Sequence, residues 1–254
     1  MSETISGRKK GISGSTLEMI AVVTMLIDHT AAGVLSRYLT MYGMQSVGDS
    51  NPYDTLYIGY MIMRMIGRLA FPIYCFLLVE GFVHTKSVPK YACRLLIFAI
   101  LSEVPFDLLF NGTVLEFEYQ NVFFTLWIGL MVMWAYRWIQ EKLLMGKVLK
   151  LFLYALVLLA GMVLARVLRT DYDAVGVLAI LVLYLLRYKK SFQIIGGCAM
   201  FLWEVTAPLA FLPIAFYNGK RGWKLKYFFY LFYPVHLALL YLLCMALGIS
   251  GYEV

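Results

Sequence analysis

The sequence predicts an all-α, polytopic transmembrane helical bundle of about seven full spans plus a short helical hairpin, up to about nine helices in all. Three observations carry this expectation. Hydrophobic residues fill 62% of the 254 positions and the mean hydropathy is +0.76, against about 45–50% apolar residues in ordinary soluble domains. Apolar windows of about twenty residues, the length that crosses a bilayer as a helix, recur along the chain. The segments between them alternate in charge. No polar stretch is long enough to fold as a soluble domain, the largest interruption being Thr40–Asp54, so residues 1–254 are read as a single membrane domain.

The first window, 17–39, follows the basic residues Arg8, Lys9 and Lys10. No small-residue cleavage pattern precedes it, so no cleavable signal peptide is expected. Further windows fall at 56–83, 91–109, 121–139, 149–168 and 174–188, and the last at 226–247. Basic connections hold Lys86 and Lys90; Arg137, Lys142, Lys147 and Lys150; Arg187, Lys189 and Lys190; and Lys220, Arg221, Lys224 and Lys226. Between them come acidic connections with Asp49 and Asp54, Glu116 and Glu118, and Asp171 and Asp173. By the positive-inside rule the basic set is cytoplasmic, which puts the N-terminus in the cytoplasm. The +7 net charge therefore reflects membrane topology and is not a nucleic-acid signal. The four cysteines, Cys75, Cys93, Cys198 and Cys244, lie in apolar segments without metal-ligand spacing and read as small core residues.

The stretch 191–217 is decided by the same alternation. A single crossing there would carry Lys220, Arg221, Lys224 and Lys226 to the outside, whereas a buried helical hairpin turning near Pro208 keeps them inside. Pro208 and Pro213 also disfavour one continuous helix. The hairpin makes the C-terminus external. No convincing internal repeat is present; AFPIY (70–74) against FYPVH (232–236) is a weak echo.

The candidate functional residues are ionisable groups deep inside these windows, where a charge normally persists only when paired, water-facing and functional. Counting about 1.5 Å of rise per residue from the cytoplasmic end of each window, His29 lies about 18 Å deep, Arg68 about 22 Å, Glu103 about 18 Å, Glu204 about 20 Å and His236 about 15 Å. Asp28 adjoins His29, Arg64 stands one turn from Arg68, and Tyr233 shares a helical face with His236. A bland reading makes the whole layer compensating ion pairs that set helix order. Glu80 and Arg94, shallower, read as a structural pair; Asp107, Asn121 and Asp173, near outer ends, read as solvated or functional alike. Because neighbours differ by about 100° around a helix, Asp28 and His29 cannot both face one partner directly. The expected division puts His29 in a cavity and Asp28 against Arg64 or Arg68. Pro72 frees the carbonyl of Arg68 from its helical bond, and Gly67 permits close approach of another helix.

In order along the chain stand MLIDHT (25–30), RMIGRLAFPIYCFLLVEGFVHT (64–85) and YACRLLIFAILSEVPFDLL (91–109). QNVFFTLWIGL (120–130), DYDAVGVLAIL (171–181), YNGKRG (217–222) and LFYPVHLALLYL (231–242) follow. These segments resemble the TraX family of integral membrane proteins over about residues 15–245; the combination and order of the motifs are specific, though no single motif is. The resemblance implies an acetyltransferase that takes acetyl groups from cytosolic acetyl-CoA, the family being known for N-terminal acetylation of conjugative pilin. No metal is implied. The acceptor it implies is an amine or hydroxyl, on a peptide N-terminus, a glycan or a small molecule, at or across the bilayer.

Acyl transfer needs a base for the attacking group and stabilisation of the developing oxyanion. His29 is the base candidate, with Asp28, Arg64 and Arg68 as its catalytic setting and His236 as the rival base. CoA phosphates need cations and backbone N–H groups, which the loop Asn218, Gly219, Lys220, Arg221 and Gly222 offers; the same loop also reads as an ordinary positive-inside connection. Lys86, Lys90 and Arg94 are weaker phosphate candidates. A proton-coupled small-molecule transporter, relaying protons through Asp28, His29, Glu103 and Glu204, is the competing reading, and a non-catalytic assembly factor for an envelope complex is a third.

Overall fold

The computed structural model describes residues 11–43, 52–142, 146–223 and 226–251; Arg8, Lys9, Lys10, Asp49 and Lys224 lie outside them. The described residues are helical throughout, with no strand longer than an isolated bridge. Helix α1 (Gly14–His29) starts where the Ser13 hydroxyl accepts from the Thr16 amide, and a π-helical turn, Thr30–Leu35, joins it to α2 (Ser36–Gly43). The window 56–83 becomes two helices, α3 (Pro52–Gly67) and α4 (Ala70–His84). The break is a tight turn in which the Leu69 amide donates to Ile66 O at 3.2 Å. It falls there because Pro72, lacking an N–H, fits the first turn of a new helix and not the interior of a continuing one.

Helix α5 (Val88–Phe110) opens with Pro89 in its first turn, and α6 (Val122–Lys142) and α7 (Lys147–Val167) follow. A turn with left-handed backbone at Arg169, Tyr172 and Asp173 leads into α8 (Asp173–Leu185). Then come α9 (Lys190–Met200), a short 3₁₀ turn at Ala207–Ala210, α10 (Phe211–Ala215) and α11 (Lys226–Ala246). Helix α1 packs on α3 and α4, α6 on α7 and α8, and α5 on α11, while α4 against α8 and α5 against α6 join these groups. Phe71, Phe76, Phe82 and Leu183 lie in the shared apolar core.

Five of these helical stretches are long and apolar enough to cross a membrane: 14–42, 54–84, 122–141, 147–167 and 227–246. The expected seven full spans are thereby corrected. Helix α8 is apolar but has only 13 residues, about 20 Å. Helix α5 has the length but carries Lys90, Arg94, Glu103 and Asp107. The protein is a helical membrane bundle with fewer unbroken apolar spans than the hydropathy windows suggest.

A hairpin forms over 191–217, but it is not buried as anticipated: Ile195, Val205 and Leu212 are among its exposed apolar residues. Its two feet meet, Lys190 Nζ donating to Tyr217 O at 2.8 Å. The loop beyond is laced to the start of α1: Gly14 N donates to Lys220 O and Ser15 N to Arg221 O, each at 2.7 Å. The start of α1, the hairpin feet and the 217–222 loop thus share one end of the bundle. At the opposite end Arg37, fully buried, donates to Leu109 O and Ser250 O, both at 2.6 Å, tying α2 to the end of α5 and the chain after α11.

Candidate functional site

Two ion pairs assemble around the α3–α4 break. Arg64 Nη1 donates to Asp28 Oδ2 at 2.7 Å, and Arg68 Nη1 donates to Glu204 Oε1 at 2.9 Å. The Arg68 amide keeps its helical bond to Arg64 O at 3.2 Å, and at the break its side chain reaches the hairpin tip. Gly67 lies so close to Asp28 that any side chain there would overlap the carboxylate. The hairpin tip is pinned a second time by the Thr206 hydroxyl donating to Met65 O at 2.6 Å. Asp28 therefore faces Arg64, one of the two partners anticipated for it. One oxygen of Asp28 and one of Glu204 are buried with no protein partner.

The adjoining wall comes from the α7–α8 turn, which sequence reasoning read only as an acidic outer connection. Tyr172 stands beside Arg68, and its ring stacks on Phe71 with centroids 3.5 Å apart. The Tyr119 hydroxyl donates to Asp171 Oδ1 at 2.7 Å. Asp171 lies outside the spans, and burial pushes its carboxyl up to about 6 against the lowering effect of the Tyr119 hydrogen bond. The left-handed backbone at Tyr172 turns this aromatic inwards; adjacent aspartates around a tyrosine gave no hint of it.

On the other side of α1, His29 meets the last helix. His29 Nδ1 lies 2.7 Å from His236 Nε2 with the rings within 7° of coplanar. His236 Nδ1 donates to the Phe232 carbonyl at 2.7 Å. Tyr233 and Phe110 present ring edges to His29, with centroids at 5.8 and 5.5 Å. The rival bases of the sequence reading are thus bonded to one another. Glu103 does not join either group. It accepts from the backbone and side-chain amides of Asn121 and so closes the start of α6. Asp107 and Asn121 are fully buried, not solvated, and Asp173 pairs with Arg166.

A cavity of about 510 Å³ opens at the end of the bundle shared by α1 and the 217–222 loop. Lys86, Arg94, Gly219 and Arg221 stand in its wall, with Glu18 and Glu80, and it reaches inwards to Phe123 and Tyr233. His29 is not in this wall, contrary to expectation; it lies one ring further on, against Tyr233. The expected pair of Arg94 with Glu80 does not form: Arg94 stands beside Tyr230, lies 5.6 Å from the Tyr91 ring centre, and keeps a buried Nε without a protein partner. Glu80 instead stands beside Tyr217. Of the five loop residues proposed for CoA, Gly219 and Arg221 line the cavity and Lys220 does not. Asn218 shapes the loop, donating to Gly11 O at 3.0 Å and accepting from Lys220 N at 2.9 Å. Gly222, at φ +76°, leaves no room for a Cβ against Ser13 and Ser15.

The arrangement holds a cation-rimmed cavity, a histidine pair and a doubly bridged arginine pair in one bundle. Residues 13–244 match the family model described as TraX protein. A curated relative, "Probable fimbrial assembly protein FimC, serogroup H1" of Dichelobacter nodosus, is 31% identical over 254 residues, spanning 92% of this chain and 96% of its own. No solved structure matches. The family match takes in every helix that builds the cavity, the histidine pair and the arginine pairs, and the chain belongs to the TraX family.

Proposed function

We propose that this protein is a membrane acetyltransferase that takes its acetyl group from cytosolic acetyl-CoA and passes it to an amine or hydroxyl at or across the bilayer. The observation that carries this reading is the cavity. It is large enough for an extended ligand arm, rimmed by Lys86, Arg94 and Arg221, and its inner wall is Tyr233, the ring that abuts His29. Cations at the mouth suit the phosphates of CoA. Buried apolar walls suit the thioester arm, with water excluded from the reacting end. The basic loops around the mouth are the cytoplasmic ones under the positive-inside rule. The N-terminus is then cytoplasmic and the C-terminus, beyond a single crossing by α11, external.

In the transfer, His29 takes the proton from the acceptor as its nitrogen or oxygen attacks the thioester carbonyl. The carbon–sulfur bond breaks and the proton passes to the leaving CoA thiolate. The donor enters through the cavity, at the end of the bundle shared by α1 and the 217–222 loop. The family resemblance and the fimbrial name of the relative support a peptide N-terminus, as on pilin, as one acceptor class; the site chemistry suits a glycan or small-molecule amine equally. The proton-coupled transporter draws less support, because Asp28 and Glu204 are each bonded to an arginine and Glu103 to Asn121.

Purified protein in lipid nanodiscs, mixed with radiolabelled acetyl-CoA, is expected to bind it saturably and to release acetate slowly when no acceptor is supplied. Absence of binding at millimolar donor would sink the reading.

A further inference from the structure

We infer that His236 is the positioning residue that sets the tautomer of His29, so that the two histidines work as one base with its lone pair at His29 Nε2. This rests on the acetyltransferase reading for its catalytic meaning, but its geometry stands alone. A backbone carbonyl can only accept a hydrogen bond, so His236 Nδ1, 2.7 Å from Phe232 O, must carry its proton. A neutral imidazole holds one N–H, which leaves His236 Nε2 as an acceptor. The atom 2.7 Å away, His29 Nδ1, must then be the donor. His29 Nε2 is left bare, as a general base requires.

The surroundings hold this chain of bonds in place. The His236 ring stacks on Phe232 at 4.6 Å and 14°, and the His29 ring is gripped between the edges of Phe110 and Tyr233. His236 is buried at 3% exposure, so water does not compete for its Nε2. The arrangement does for His29 what a carboxylate does in a hydrolase triad, with a neutral orienting group in place of a charged one. Asp28, next in the chain, does not do this: Arg64 holds its Oδ2, and His29 Nδ1 is taken up by His236. Free neutral imidazole favours the Nε2–H tautomer, so the opposite form at His29 requires the partner that His236 supplies.

The chain has three histidines, so selective ¹⁵N-histidine labelling in nanodiscs gives a readable spectrum, assigned by single substitutions. Wild-type protein is expected to show His29 and His236 both as neutral Nδ1–H tautomers. His236→Phe keeps the stacking but cannot accept a hydrogen bond; His29 should shift to the Nε2–H form. Turnover should fall on the order of 100-fold or more, the range of a lost general base, with KM for acetyl-CoA unchanged. His236→Gln, whose side-chain oxygen can take the place of Nε2, should restore the tautomer and most of the turnover. An Nε2–H tautomer at His29 in wild type, or a tautomer unmoved by His236→Phe, overturns the inference. So does a Gln variant that restores the tautomer without turnover. Should the Phe variant fail to fold, the wild-type and Gln spectra still decide. A spectrum as described in a protein that transfers acetyl to no acceptor would instead refute the acetyltransferase reading.

Discussion

Arg68 and Glu204 are unequal partners, and the inequality sets what each substitution does. The Glu204 side chain is 5% exposed and that of Arg68 36%, so removing the arginine strands a carboxylate that water cannot reach, whereas removing the carboxylate leaves a cation that can turn outwards. Arg68→Ala is expected to lower stability by about 2–4 kcal/mol, towards the lower side of breaking a buried pair because the guanidinium is part exposed. Adding Glu204→Gln should recover more than half of that, read by thermal unfolding in detergent; no recovery would mean the hairpin tip depends on Arg68 in some other way. Gly67→Ala puts a methyl group into the Asp28 carboxylate and should cost about 1–3 kcal/mol of overpacking together with acetyl transfer. Asp171 carries a pH signature. Its carboxyl is raised from an ordinary 3.8 to about 6, so the native state binds the proton more tightly than the unfolded chain does. The stabilisation this gives is full below the ordinary value and is lost as pH rises through about 6. Asp171→Asn, which can still accept from Tyr119, should therefore gain melting temperature relative to wild type on going from pH 5 to pH 8; a pH-independent difference would exclude this origin. The sequence made Asp28, Arg64, Arg68 and Glu204 visible because charge inside an apolar window is costly and rare. It could not say that Glu103 serves Asn121, since depth along a helix does not reveal which way a side chain points.

Helices carry their own version of this difference. The spans near 17–39, 121–139, 149–168 and 226–247 were legible because composition and length alone identify them. The α3–α4 break was half legible: Pro72 announced a freed carbonyl, but whether a helix kinks or restarts depends on what receives Arg68, and that is the hairpin tip, distant in sequence. The π-helical turn at Thr30–Leu35 left no signal at all. It adds a residue within one turn just after His29, and since each residue turns a helix by about 100°, it decides how the Asp28–His29 face relates to buried Arg37. The hairpin was legible from loop charge, an argument that needs no side-chain detail. A cysteine at Gly219 is expected to react with a membrane-impermeant maleimide only from the cytoplasmic face, and one at Ser250 only from outside, in otherwise cysteine-free protein. Labelling of Gly219 from outside and of Ser250 from the cytoplasm would break the hairpin assignment and return 191–217 to a full crossing.

Across the whole molecule, the cavity gathers residues that lie far apart in the chain, and hydropathy cannot see that gathering. The cavity is built by residues from α1, α4, α5, α6, the 217–222 loop and α11, no two of which form a motif; Arg221 and Gly219 within YNGKRG pointed to it, and Lys86 and Arg94 did so more weakly. Its distinguishing cation is Arg94, because its buried Nε has no protein partner. Arg221 stands with it at the wall, and Lys220, next in sequence, contributes its backbone carbonyl to the α1 contact instead. Arg94→Gln and Arg221→Gln should each raise the acetyl-CoA dissociation constant, by about tenfold for each charge-assisted contact of about 1.5 kcal/mol lost. A 3′-dephospho analogue of the donor would show which arginine, if either, meets the 3′-phosphate. Lys220→Gln should leave the constant within twofold, since its side chain is exposed and off the wall, and an exposed substitution of this kind changes stability by no more than about 0.5 kcal/mol. Measured by equilibrium binding in nanodiscs, this ranking separates the cavity from the loop as the donor site. If Lys220→Gln weakens binding as much as Arg94→Gln does, the donor lies on the loop surface, outside the bundle, and the path from Arg94 to Tyr233 is a packing defect with no part in transfer.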